Sequence, residues 1–223
     1  MQKFTKTTRT LAALLVSGTA LTGAASAADI SANFGVTSDY IWRGMTQNVG
    51  LTSASGGLDA DFGNGFYAGT WIGDVTLEGA NEELATQETD FYAGYAGESG
   101  SLSYDVGYIM YTYDVDDLNF EEAYVTIGSG GVSLSYYYLV DADVDVDAGD
   151  ATYISLDYET EVGDLGLALH YGAYDAEDAG LTDSTDISVT LSKGDFSLSY
   201  VTTDDLTGLD DEDRMVVSWG VSF

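Results

Sequence analysis

Cysteine is absent from the 223-residue chain, which removes disulfide scaffolds, thiolate metal sites, cysteine nucleophiles and lipoprotein anchoring from consideration. Proline is absent as well, and histidine occurs once, at His170. Basic residues are scarce: 6 Lys+Arg stand against 38 Asp+Glu, a formal net charge of −32. Such a chain repels the phosphate backbone, so nucleic acid is excluded as a partner. Disorder is excluded on other grounds. Hydrophobic residues make up 45% of the chain and aromatics 13%, far more than a highly charged unfolded segment carries. No run after residue 27 is apolar over roughly 18 residues, so the sequence predicts no transmembrane helix.

What is present begins with an export signal. Lys3, Lys6 and Arg9 precede the apolar run Leu11 to Val16, and small residues lead to Ala25-Ser26-Ala27, the three regions of a cleaved secretory signal peptide over residues 1–27. The run is too short to cross a bilayer, which takes about 20 apolar residues. Cleavage leaves a single domain, 28–223, in which Arg43, Lys193 and Arg214 are the only Lys or Arg side chains against all 38 carboxylates.

The domain alternates apolar with small or polar residues at period two. In 215–223, Met215, Val217, Trp219, Val221 and Phe223 share one face, and Val216, Ser218, Gly220 and Ser222 the other. About twelve such runs are separated by turn signals, near 29–43, 50–63, 66–75, 87–97, 101–113, 120–128, 132–140, 151–160, 165–174, 185–193, 196–203 and 214–223. Five tight turns, the first an Asn64-Gly65 pair expected to be type I′, alternate with six longer polar loops. This rhythm predicts an all-β transmembrane antiparallel up-and-down barrel of about twelve strands, with both termini on the short-turn side. A closed barrel leaves no unpaired strand edge, the condition for β structure in lipid. A secreted β-sandwich also alternates, but neither the loop rhythm nor the abundance of Tyr and Trp favours it. The alternating carboxy-terminal strand ending at Phe223 is similar to the insertion signal of outer-membrane barrels, which implies the barrel-assembly machinery as a partner.

The stretch Phe34-Gly35-Val36-Thr37-Ser38-Asp39-Tyr40-Ile41-Trp42-Arg43-Gly44-Met45-Thr46-Gln47 resembles the opening strand of the TorF-type family of outer-membrane porins, whose members begin with an S-x-Y-x-x-R-G pattern after a signal peptide. That resemblance implies an outer-membrane barrel with pore function and names no solute.

With the apolar face of each run toward lipid, parity turns Asp39, Asp59, Asp61, Asp90, Asp105, Glu122, Asp157 and Glu159 into the lumen, and most other carboxylates fall in the longer loops. Arg43 shares the parity of Asp39; it is either one half of a buried ion pair or a positive post opposite the carboxylates. Rings of Asp and Glu attract cations. The expectation is therefore a passive porin in the cell outer membrane that passes small solutes or ions, cations preferentially, with outer-membrane lipid around it and no cofactor. The same charge suits a saline medium, where repulsion is screened within about 3 Å at 1 M salt.

Three other readings compete. The acidic segment 141–150 fails as an EF-hand, because counting from Asp143 puts Ala148 and Ile154 where Gly and Glu are needed, so no metal site is assigned. A hydrolase would rely on His170, at a lumen position with Asp157 or Ser155 across the hairpin, but no G-x-S-x-G elbow accompanies it. A plugged surface-binding or adhesion barrel would use its outer loops, with Tyr111, Tyr113 and Tyr174 near their bases as interfacial girdle residues.

Overall fold

The structure is a computed structural model, and it describes residues 28–78, 83–115, 117–205 and 213–223. The signal peptide expected over 1–27 lies outside the described residues. Twelve strands form one closed antiparallel barrel: β1 Asp29–Thr37, β4 Ser53–Asp61, β5 Phe66–Glu78, β6 Glu83–Ser99, β7 Leu102–Tyr113, β8 Phe120–Ser129, β9 Val132–Ala142, β10 Thr152–Val162, β11 Leu165–Asp175, β12 Ser184–Lys193, β13 Phe196–Asp204 and β14 Arg214–Ser222. Each strand pairs with its sequence neighbour, and β1 closes on β14 with Asn33 opposite Ser222 and Thr37 opposite Ser218. No helix among the described residues is long and apolar enough to cross a membrane.

The period-two pattern is what places side chains. Alternate residues such as Leu156, Val189, Leu198 and Val217 stand outward and exposed, an apolar belt that lipid would cover. Their neighbours Ser155, Thr190, Ser197 and Val216 are buried inside. The connections run to two to four residues on the side of the two termini and to six or more on the other, except that β5 and β6, extended into the loop expected between them, are separated by only four residues. In the turn between β8 and β9, Gly130 and Gly131 both take positive φ, 61° and 85°, a conformation open to glycine at little steric cost. The first short turn differs from the expected type I′ pair. Gly63 and Gly65 take positive φ there, Asn64 does not, and Phe62 N–H donates to the Phe66 carbonyl at 3.0 Å across a four-residue loop.

The largest departure lies at the start. The run expected over 29–43 stops as a barrel strand at Thr37, and residues 39–48 turn into the lumen. There they form a small hairpin, β2 Ile41–Trp42 and β3 Met45–Thr46, with Trp42 opposite Met45. The turn residues Arg43 and Gly44 both have positive φ, 48° and 79°, the pattern of a two-residue type I′ hairpin. Asp39 and Arg43 are therefore not strand residues whose parity aims them inward; they enter the lumen on a loop.

This inward loop organises the core. Trp42 and Met45 pack on a cluster of Leu139, Ala151, Tyr153, Tyr174 and Ala176, and Tyr40 packs on a second cluster of Trp71, Tyr92, Ile109 and Tyr111. Both clusters lie inside the barrel. Tyr111, Tyr113 and Tyr174 are thus lumen residues packed around the loop, in place of the girdle role expected for them. On the backbone side, Thr76 N–H donates to the Gln47 carbonyl at 2.7 Å. Thr76 is free for this because the β5–β6 register shifts between Asp74 and Leu77.

Candidate functional site: a lumen throttled by an inward loop

Arg43 is the centre of the arrangement. Its guanidinium meets the Glu122 carboxylate in a two-pronged pair, Nη1 to Oε1 at 2.8 Å and Nη2 to Oε2 at 2.6 Å. The side chains are 5% and 1% exposed. Around the guanidinium carbon stand the rings of Trp42 at 4.2 Å, Tyr153 at 4.5 Å, and Tyr137 and Tyr174 each at 5.1 Å. A planar, weakly hydrated cation with a carboxylate in its plane and aromatic faces around it is stabilised on both counts. The pair joins the loop to β8. A second ion pair fastens the other side, where Arg214 Nη1 of β14 donates to Asp39 Oδ2 at 3.0 Å. The hydroxyl of Thr46 also donates to Asp39 Oδ1, at 2.7 Å. Where Gly44 passes β12 and β13, any Cβ on it would meet Thr203 and come within 2.8 Å of the Asp186 Cβ, so the close approach itself requires glycine.

Toward the short-turn end, carboxylates and tyrosines interleave. Tyr92 donates to Asp59 at 2.5 Å, Tyr67 donates to Asp105 at 2.7 Å, and the Tyr67 and Tyr124 hydroxyls are bonded to each other. These rings lie across glycines of the neighbouring strands: Gly69 is opposite Tyr92, Gly94 opposite Tyr67 and Gly107 opposite Tyr124. A Cβ at Gly69 or Gly107 would come within 2.5 Å of the facing tyrosine. Each glycine is therefore the floor on which a tyrosine lies down into the lumen.

His170 sits in the opposite wall. Nδ1 is 2.6 Å from Asp157 Oδ1, and Nε2 is 2.9 Å from both Asp186 Oδ1 and the Tyr153 hydroxyl. Ser155 donates to Asp157 at 2.9 Å and not to the imidazole. Both ring nitrogens are thus engaged with carboxylates, and no serine–imidazole bond of the nucleophile–base kind is formed.

The remaining expected positions divide. Asp90 is inside the barrel and wholly buried. Asp61 is half-buried at the first short turn, where it accepts the Gly63 N–H at 2.7 Å. Glu159 is exposed near the short-turn end of β10. The structure therefore gathers Arg43 with Glu122 and Asp157 with His170, and leaves Asp61 and Glu159 at the rim. Glu88, Asp186 and Arg214 were missed as lumen residues, although Glu88 and Asp186 continue the inward parity of Asp90-Tyr92 and Ser188-Thr190 by one more step. All three positions fall inside the runs expected over 87–97, 185–193 and 214–223, so applying the inward parity up to the ends of those runs would have found Glu88 and Asp186. Among the described residues, no group of three or more His, Cys, Asp or Glu side chains is placed to hold a metal ion.

The KdgM porin is similar in fold, with a TM-score of 0.56 at 11% identity over 86% of this chain and 98% of that one. A second structure, the KdgM porin in complex with disordered oligogalacturonate, gives a TM-score of 0.50 at 9% identity over 87% of this chain and 97% of that one. The outer membrane protein opdK from Pseudomonas aeruginosa gives 0.38 at 15% identity, over 87% of this chain and 61% of that one. No curated protein sequence matches the chain. The fold is thus that of porin-type outer-membrane barrels. A family model described as "Bacterial protein of unknown function (Gcw_chp)" matches residues 21–217, and the chain belongs to that family.

Proposed function

We propose that this protein is a passive porin of the outer membrane, of the TorF type implied by residues 38–44, that passes small solutes and favours cations. The observation that carries the reading is the composition of the lumen on the short-turn side of the loop. Asp59, Asp105 and Asp157 line it half-buried, and Arg43 and Arg214 are both engaged higher up by Glu122 and Asp39. A permeating ion there meets carboxylates and tyrosine hydroxyls, with His170 the single ring that carries positive charge when protonated. In a narrow low-dielectric channel that field draws cations and repels anions. One structural neighbour is described with oligogalacturonate, a polyanion; the same field would repel such a solute here. The inward loop is the throttle of the pore. Residues 1–27 would supply export, and Phe223, 80% exposed at the end of β14, would be offered to the barrel-assembly machinery.

Conductance of the refolded mature protein in a planar bilayer under a KCl gradient tests this. The expected result is small discrete steps with a cation-selective reversal potential. An anion-selective sign overturns the selectivity, and no steps from folded protein overturn the pore.

A further inference from the structure

Asp90 presents a problem in charge. It is 0% exposed, and neither carboxylate oxygen has a hydrogen-bond partner among the described residues. An isolated buried carboxylate is costly in a low-dielectric wall. Protonation removes that charge at a smaller cost, but it leaves a buried O–H donor with no acceptor among the described residues. Two residues along the same face of β6 stands Glu88, 2% exposed, which accepts the Tyr40 hydroxyl at 2.9 Å and a hydrogen bond from Tyr113. Those tyrosines satisfy oxygens without supplying charge.

No side chain supplies it either. Among the described residues, Arg43 is paired with Glu122, Arg214 with Asp39, Lys193 with Asp164, and His170 with Asp157 and Asp186. The register then sets what surrounds Asp90. Trp71 of β5 and Tyr111 of β7 are its directly opposed neighbours on the inner face, 9% and 5% exposed. Directly opposed residues lie about 5 Å apart at Cβ, so two aromatic rings flank the carboxylate. Aromatic faces tolerate a desolvated cation and offer an anion nothing.

We propose that Asp90, with Glu88 as the second charge, binds a small monovalent metal cation of the sodium or potassium class in the barrel wall beneath the inward loop. One ion satisfies both orphaned oxygens at once and neutralises part of the paired charge. The site belongs to the wall and is read on stability, so it stands or falls separately from the pore reading.

The test is thermal unfolding of the refolded mature chain in detergent, at matched ionic strength, in NaCl, KCl or N-methylglucamine chloride. An ion that binds only the folded state raises the melting temperature by mass action. The wild type is expected to melt higher in NaCl or KCl than in N-methylglucamine chloride. Asp90→Asn is expected to lose that difference, and Asp145→Asn, in an exposed loop, to keep it. No difference in the wild type, or a difference that survives Asp90→Asn, overturns the proposal. Infrared spectra of the wild type keep it decidable if Asp90→Asn does not refold. Carboxylate bands that shift between sodium and N-methylglucamine support the site, and a buried carboxylic-acid carbonyl band at neutral pH in both media overturns it.

Discussion

Arg43 is the residue on which the lumen turns, and its chemistry separates two roles. As half of a buried pair, it leaves an uncompensated charge when its partner is lost. Glu122→Gln is therefore expected to destabilise the barrel by about 3–5 kcal/mol, read as a lower urea midpoint. The double change Arg43→Met with Glu122→Leu removes both charges together and is expected to recover most of that stability. If Arg43 also sets the pore, the double variant will show larger conductance steps with the fold intact. Wild-type steps from it would reduce Arg43 to a structural strut. The sequence marked Arg43 as exceptional, because basic residues are so few. It did not reveal the partner, since Glu122 lies 79 positions away and only closure of the barrel brings them together.

At the scale of elements, part of the abundance of Gly and Tyr comes from cross-strand stacking of tyrosine on glycine in the lumen, as at Gly69 and Tyr92, Gly94 and Tyr67, and Gly107 and Tyr124. Gly69→Ala would drive a methyl group into Tyr92, an overpacking cost of about 1–3 kcal/mol. In a Tyr92→Leu background the same change is expected to cost little, and equal costs in both backgrounds would contradict the stacking. The strand ends carry a second prediction. Asp114, just past β7, accepts the Thr86 hydroxyl at 2.5 Å and the Thr86 and Gln87 amides at 2.9 and 3.3 Å. The Thr86 hydroxyl first, and then these amides, hold its carboxyl below the ordinary range. A carboxyl with a folded-state pKa below its unfolded one stabilises fully at neutral pH and loses that contribution as pH falls through the acid carboxylate range, below about 4. Amide exchange at Thr86 and Gln87, corrected for its intrinsic pH dependence, should therefore lose protection there, and Asp114→Asn should show no such step. An unchanged pH profile in the variant would remove the role of the cap.

Strand existence and order were legible along the chain because one face of every stave meets lipid and the other the lumen, which writes period two into each run. Ends were less legible. β5 and β6 extend beyond their expected limits as a hairpin, and β1 stops short at Thr37, where the inward hairpin that follows went unread because its turn at Arg43-Gly44 lacks the usual Asn or Asp before glycine. Arginine at positive φ carries no turn signature that a sequence reader would weigh.

For the whole molecule, the inward loop decides how much of the barrel conducts. Deleting Ile41–Thr46, with residues 40 and 47 joined through a short glycine linker, is expected to enlarge the single-channel step and leave the reversal potential cation-selective. The carboxylates below the loop remain in place. An unchanged step would mean that the current does not pass the loop. What the sequence by itself determined is an acidic barrel of twelve alternating strands, because lipid on one side and neighbouring strands on the other dictate composition residue by residue. What only the tertiary structure decided is that residues 39–48 enter the barrel and that Arg43, Glu122 and four aromatic rings meet there. It also decided that Asp90 is buried without a hydrogen-bond partner among the described residues. These contacts join residues far apart in the chain, and no local periodicity records a distance that exists only once the sheet has closed.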